Sequence, residues 1–268
     1  MCRWFIYFGK EILFEDILYK QNNSIIKQSY LHKYTPFLEE SNKRDHEVNV
    51  DGYGIGWYIN KILKPCYYTS IKTPWNDYNL HRLSKILSSK LIFAHIRAIK
   101  PFSQGIVHEF NCHPFNIDNF LFMHNGDLKN YNIYKKKIFN KIDDRIFQLI
   151  KGTTDSEYIF ALILSFLKDK QINVNNVKLS IIETIKFINT ITDTIFSFNI
   201  AITEGNFVIF TRYINNQNEN PPSLYFKKNK DNIVISSEPI DFNEDNWTCI
   251  PKNTIGYYEK NVLKFEKI

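Results

Sequence analysis

A cysteine stands at position 2, and removal of Met1 leaves it carrying both a thiol and a free α-amine. That amine has a reference pKa of about 7.7–8.0, so it can take a proton near neutral pH. The thiolate is the reactive form of cysteine. An N-terminal cysteine therefore combines nucleophile and base in one residue, as an N-terminal threonine does. By position alone, Cys2 reads equally as a buried small residue or a lipidated terminus. A thiolate attacking a carbonyl needs donors where the oxyanion forms. His124-Asn125-Gly126 offers two, the Asn125 side-chain amide and the Gly126 backbone N–H. The same Asn-Gly pair is also a favoured tight turn. A substrate with an amino-acid head needs one cation and one anion. Arg97 closes a strand-like run with a planar fork that suits a carboxylate, or serves an ordinary salt bridge. Asp155 opens a helix, where it either accepts an α-ammonium group or simply complements the helix dipole.

The elements that must position these residues follow from patterning. Cys2 to Phe8 is aromatic and β-branched and predicts a strand. Gly52, Gly54 and Gly56 lead into a second strand at Trp57-Tyr58-Ile59, with unusual backbone freedom at its start. Leu91 to Arg97 is a third, and Phe120 to Met123 a fourth, ending in a turn at His124-Asn125-Gly126-Asp127. Ser24 to Glu47 reads as loop. Thr154 is the expected N-cap of a helix over Asp155 to Leu167, with Glu157 in capping-box position. Apolar residues at Val174, Val177, Ile181, Ile185, Ile188 and Ile195 predict a second helix over 174–195. Short strands follow at 199–203, 206–212, 224–227, 232–236 and 254–259, separated by a polar loop at 215–222. With no repeat and no linker, residues 1–268 read as a single α+β domain, with Cys2 as the first residue of the mature chain.

Composition narrows the partners. The chain has 268 residues, 44% hydrophobic and 16% aromatic, enough to bury a substantial core. Its net charge of +6 is spread along the sequence. The tight cluster Lys135-Lys136-Lys137 reads as a solvated helix face, so no nucleic-acid partner is expected. Cys2, Cys66, Cys112 and Cys249 are irregularly spaced, which fits a reducing compartment better than a disulfide framework. No secretory signal and no bilayer-length apolar run is visible, so the expectation is a cytoplasmic protein without a membrane partner. His108, Cys112, His113 and His124 lack familiar zinc spacing, and no metal or other cofactor is expected. Gly52-Tyr53-Gly54-Ile55-Gly56 lacks the third glycine of a dinucleotide fingerprint and runs into a strand.

Seven segments, in order and spanning nearly the whole chain, resemble the class II glutamine amidotransferases of the N-terminal-nucleophile hydrolase fold. They are Cys2-Arg3-Trp4, Asp51 to Tyr58, Ala94-His95-Ile96-Arg97, Asn111-Cys112-His113-Pro114-Phe115, His124-Asn125-Gly126, Thr154-Asp155-Ser156-Glu157 and Ser236-Ser237-Glu238-Pro239. The first and fourth look closest to a stand-alone subfamily, which includes the amidotransferase-like subunit of the fungal glutathione-degrading complex. The resemblance implies a four-layer αββα sandwich. It implies Cys2 as nucleophile and Asn125 with Gly126 as oxyanion hole. It also implies Arg97 on the substrate α-carboxylate, Asp155 on the α-amino group, and a backbone contact near His124 or Gly126. The expected activity is cleavage of a γ-glutamyl amide (glutamine, glutathione or a related compound) through a Cys2 thioester. A partner peptidase or synthase subunit is expected beside the small-molecule substrate. The alternative is a non-catalytic regulatory or scaffold subunit that keeps the fold. One departure stands out: Ala98-Ile99-Lys100 places a lysine where relatives carry a hydroxyl residue.

Overall fold

The structure is a computed structural model that describes residues 2–31, 48–59, 62–99, 105–241, 243 and 246–268. It contains two compact units. One is Met1–Pro114 with Ser223–Ile250, the other Phe115–Pro222 with Pro251–Ile268. Elements are numbered along the chain.

The first unit holds strands β1 (Arg3–Leu13), β2 (Tyr53–Ile59), β3 (Ile62–Ser70), β4 (Ser88–Ile96), β9 (Tyr225–Lys228), β10 (Ile233–Ser236) and β11 (Thr248–Cys249). They form one antiparallel sheet in the order β11-β9-β10-β1-β4-β2-β3. Strand β1 lies inside the sheet, paired with β10 on one edge and β4 on the other. That position explains why Trp4, Phe5, Ile6 and Tyr7 are all buried: an interior strand covered on both faces has no polar side to show. Helices α1 (Phe14–Leu18), α2 (Ile25–Gln28) and α3 (Tyr78–Ser84) cover one face. Phe14, Ile17, Leu18, Ile25 and Leu80 pack there on Phe5, Tyr7, Ile55, Ile92 and Ala94. The turn α2, capped by Ser24, falls in the stretch expected to be loop. Residues 32–47 of that stretch lie outside the described residues.

The second unit holds β5 (Phe115–Ile117), β6 (Phe120–Leu128), β7 (Phe196–Thr203), β8 (Phe207–Ile214), β12 (Thr254–Glu259) and β13 (Val262–Lys267), in the order β13-β12-β8-β7-β6-β5. Its helices are α4 (Tyr131–Phe139), α5 (Asp144–Phe147), α6 (Asp155–Leu167) and α7 (Val174–Ile191). Helix α6 is buried almost all round, Tyr158 to Leu164 without a break, because it lies between the sheet and other helices. Its Phe160 ring stacks on Phe122 of β6 at 4.8 Å between centroids. Helix α7 uses the stripe its sequence predicts, Val174, Val177, Ile181, Ile185 and Ile188, but stops at Ile191. Thr192 is extended there, and Phe196 already begins β7. Each unit is thus one antiparallel sheet with its own helices, an α+β arrangement.

One expectation is corrected. His124-Asn125-Gly126-Asp127 is not a turn. Strand β6 continues through it to Leu128, and the β7 ladder runs unbroken from Leu121↔Thr203 to Leu128↔Phe196. Continuous pairing with β7 overrides the local preference of Asn-Gly.

Candidate active site

In the first unit, Cys2 directly precedes β1. The β1–β4 register begins at Arg3↔Ile96, so residue 2 comes level with the chain just past the end of β4. There the Ala98 N–H donates to Cys2 Sγ at 3.4 Å, and Sγ lies 3.6 Å from Ala98 O. The residues leading into β2, the neighbour of β4 in the sheet, hold this segment in place. Arg97 N donates to Gly52 O at 2.8 Å, and Ile99 N to Asp51 Oδ2 at 2.7 Å. Gly52 has a φ of 105°, and a Cβ there would stand 2.5 Å from Cys112 Sγ, so only glycine fits. Arg97 is 7% exposed, and its Nη1 donates to Ile106 O at 2.8 Å. The same carbonyl accepts Asn111 Nδ2 at 3.1 Å, which fixes the fork from outside. Lys100 lies outside the described residues.

Cys112 is a different kind of thiol. It is 2% exposed and donates to Ser70 O and His108 O. Burial pushes its pKa up to about 11, against a smaller downward pull from Arg97. It stays protonated at neutral pH and packs as a small apolar group. His113 is also buried and lies over the His95 ring, 4.1 Å between centroids. Among the described residues, no group of three or more His, Cys, Asp or Glu side chains is placed to hold a metal ion.

In the second unit, β6 carries His124, Asn125 and Gly126 in succession, so their side chains alternate between its two faces. His124 faces α6. Its Nδ1 lies 2.9 Å from Ser156 Oγ and its Nε2 3.0 Å from Ser197 O. Ser197 O can only accept, so Nε2 carries a proton. The ring also sits edge-on to Phe198, so His124 ties β6 to β7 and to the start of α6. Only its backbone remains for a substrate. Gly126 follows, and a Cβ on it would collide with Ser197 O and with the His124 ring.

Asn125 points to the other face of β6. It is 1% exposed, and among the described residues neither its Oδ1 nor its Nδ2 has a hydrogen-bond partner. Its cross-strand neighbour is Asn199, whose Nδ2 donates to Pro222 O at 2.7 Å. A buried amide with no partner carries a desolvation penalty of about 1–3 kcal/mol. Such groups are rare in folded proteins and call for a reason.

Asp155 opens α6, and Thr154 caps it by accepting from Glu157 N. The expected capping box is only half formed, because Glu157 turns its carboxylate to Lys151 N and Gly152 N. Asp155 Oδ2 accepts Leu128 N at 3.1 Å, and Oδ1 accepts Ser156 N at 2.7 Å. The carboxylate is thus fixed at the end of β6, two residues beyond Gly126. The first unit therefore groups Cys2 with Arg97 and Ala98, and the second groups His124, Asn125 and Gly126 with Asp155. The sequence reading missed the Ala98 amide and the Ser156 and Ser197 contacts of His124. A backbone donor leaves no trace in residue type, although the Ala94 to Arg97 motif leads directly to Ala98.

The family model for class II glutamine amidotransferases matches residues 23–217. A relative from Saccharomyces cerevisiae, named "Probable glutamine amidotransferase DUG3", is 32% identical over 310 aligned residues, covering 100% of this chain and 84% of the yeast protein. Among solved structures, a class II glutamine aminotransferase domain protein from Silicibacter pomeroyi is similar with a TM-score of 0.68 at 21% identity, over 99% of each chain. The glutamine phosphoribosylpyrophosphate amidotransferase of Bacillus subtilis is similar with a TM-score of 0.63 at 16% identity, over 99% of this chain and 49% of its own. At those identities the structures speak for the fold.

Proposed function

The chain belongs to the class II glutamine amidotransferases, and on that premise we propose that it cleaves a γ-glutamyl amide through a glutamyl thioester on Cys2. The observation that carries this reading is the Asn125 amide, buried and without a partner among the described residues. A donor kept dry and unpaired suits a charge that appears only during reaction.

The steps are as follows. Once Met1 is removed, the Cys2 α-amine takes the thiol proton. The thiolate, held beside the Ala98 N–H, attacks the γ-carbonyl and forms a C–S bond. The Asn125 amide and the Gly126 N–H receive the oxyanion. The carbonyl re-forms as the C–N bond breaks, and the leaving amine takes the proton held by the α-ammonium. Water then hydrolyses the thioester, releasing glutamate and restoring the thiol. Arg97 holds the substrate α-carboxylate and Asp155 its α-ammonium, with a backbone contact near His124 or Gly126. Residues 1–268 act in this scheme as one amidotransferase domain.

These residues recognise the glutamyl head alone, so glutamine and glutathione both fit the scheme. The subfamily resemblance favours a γ-glutamyl peptide such as glutathione, in the cytoplasm, with a peptidase or synthase subunit taking the second product. Among the described residues no helix is long and apolar enough to cross a membrane. The test is glutamate release from glutamine, glutathione and a chromogenic γ-glutamyl anilide. Cys2→Ala is expected to lower turnover by on the order of 10⁴-fold or more. A Cys2→Ala protein that keeps most of its activity would sink the scheme. A wild-type protein inert on all three substrates would favour the scaffold role.

A further inference from the structure

Arg3 and Glu238 take no part in the steps above, yet both are buried, at 2% and 0% exposure. Arg3 Nε donates to Glu238 Oε1 at 2.7 Å. The same guanidinium, through Nη1, donates to the backbone carbonyl of Cys2 at 3.1 Å. We infer that this buried pair is a positioning device for the nucleophile, which clamps the Cys2 carbonyl and thereby fixes where Sγ sits. The inference rests on Cys2 being the nucleophile.

The need for a clamp follows from the topology. The β1–β4 register begins at Arg3 and the β1–β10 register at Phe5, so Cys2 stands just beyond the paired part of β1. Terminal residues fray unless something ties them down. A nucleophile cannot tolerate that, because a misplacement of about 1 Å can cost roughly 10²-fold in rate. The guanidinium is planar and rigid, so two of its nitrogens bonded to two acceptors fix one acceptor relative to the other.

The anchor end of the clamp is itself held. Ser237 N donates to Trp4 O at 2.9 Å, and Trp4 N donates to Ser237 Oγ at 3.0 Å. Gln28 Nε2 donates to Glu238 O at 3.4 Å, Asn23 Nδ2 to Pro239 O at 2.7 Å, and Ser223 Oγ to Ser237 O at 2.9 Å. The segment after β10 is thus a fixed frame. From it the path to the thiol runs through the Arg3 guanidinium and the Cys2 carbonyl, Cα and Cβ, with Sγ seated against the Ala98 amide. Fold stability alone does not call for such a pair. Replacing a buried ion pair by apolar residues of similar volume is often neutral or stabilising.

That last property supplies the test. The double variant Arg3→Met with Glu238→Leu removes the clamp without leaving a buried charge alone. Arg3→Lys keeps a charge opposite Glu238 but loses the two-point fork. Both are compared with wild type for melting temperature, kcat and KM on a γ-glutamyl substrate, and the rate of Cys2 labelling by a glutamine-mimicking diazoketone. The double variant is expected to melt within a few degrees of wild type, with KM changed less than about threefold. Its kcat and labelling rate should each fall by roughly 10- to 100-fold, with Arg3→Lys between it and wild type. A folded double variant with wild-type kcat and labelling overturns the inference. If the double variant does not fold, Arg3→Lys decides, and wild-type kcat and labelling in that protein overturn it equally. A wild-type protein that takes no label on Cys2 instead overturns the nucleophile assignment underneath.

Discussion

His124 and Asn125 are consecutive residues of β6, both almost fully buried, and the two faces of the strand treat them in opposite ways. On the face towards α6, both His124 nitrogens meet oxygen atoms, Ser156 Oγ and Ser197 O. On the other face the Asn125 amide meets none among the described residues. Burial and polarity are the same, so neither distinguishes structure from function here. Hydrogen bonding does. A buried polar group with its partners in place stabilises the fold, whereas one left without partners costs stability and must serve something else.

The largest expected effect is on the unpaired side. Asn125→Ala should lower kcat by roughly 10²–10³-fold, the usual cost of one oxyanion donor. Its denaturation midpoint should shift little, because losing an unpaired amide offsets the small cavity left behind. A folded Asn125→Ala protein with normal kcat would break the comparison. Gly126→Ala comes next. Its methyl group would press on Ser197 O and the His124 ring, and should cost about 3 kcal/mol by urea denaturation. His124→Ala should cost about 2 kcal/mol, since it leaves Ser156 and Ser197 O with less bonding. If Asn125→Ala proved the more destabilising of the two neighbours, the roles assigned to the two faces would be reversed.

Cys112 shows the smallest effect at neutral pH. Burial raises its folded pKa from 9.0 to about 11. A raised pKa means the folded protein holds the proton more tightly than the unfolded chain does. The contribution of this thiol is therefore fully present below pH 9 and is lost as pH rises through about 11. Urea titrations across that window should show a stability decline that is reduced in Cys112→Ala. At pH 8, iodoacetamide should label Cys2 and leave Cys112 untouched until the protein is unfolded.

Much of this was legible in residue patterns, for reasons that can be named. Helix α6 announces itself because Thr154 caps it and its apolar run is longer than any strand needs. Helix α7 shows its buried stripe at helical spacing, and only its end is obscured, because nothing in residues 192–195 marks where β7 begins. Asn125-Gly126 misleads because a local turn signal sits inside a strand whose pairing is settled by Asn199 and Phe198, more than seventy residues away. The site residues could be named because nucleophile, fork and carboxylate are side-chain chemistries. The Ala98 amide could not, since any residue supplies a backbone N–H. The Arg3–Glu238 pair was invisible as a pair for a similar reason: its partners stand at opposite ends of the chain, and only the β1–β10 pairing brings them together.

The central claim is that Cys2 is the nucleophile of a glutamyl-binding site. The most direct measurement is the intact mass of the purified protein before and after a glutamine-mimicking diazoketone, with peptide mapping of the product. The account predicts a chain that has lost Met1 and gains one adduct, located on Cys2. A chain that retains Met1, or that takes its adduct elsewhere or not at all, would contradict it.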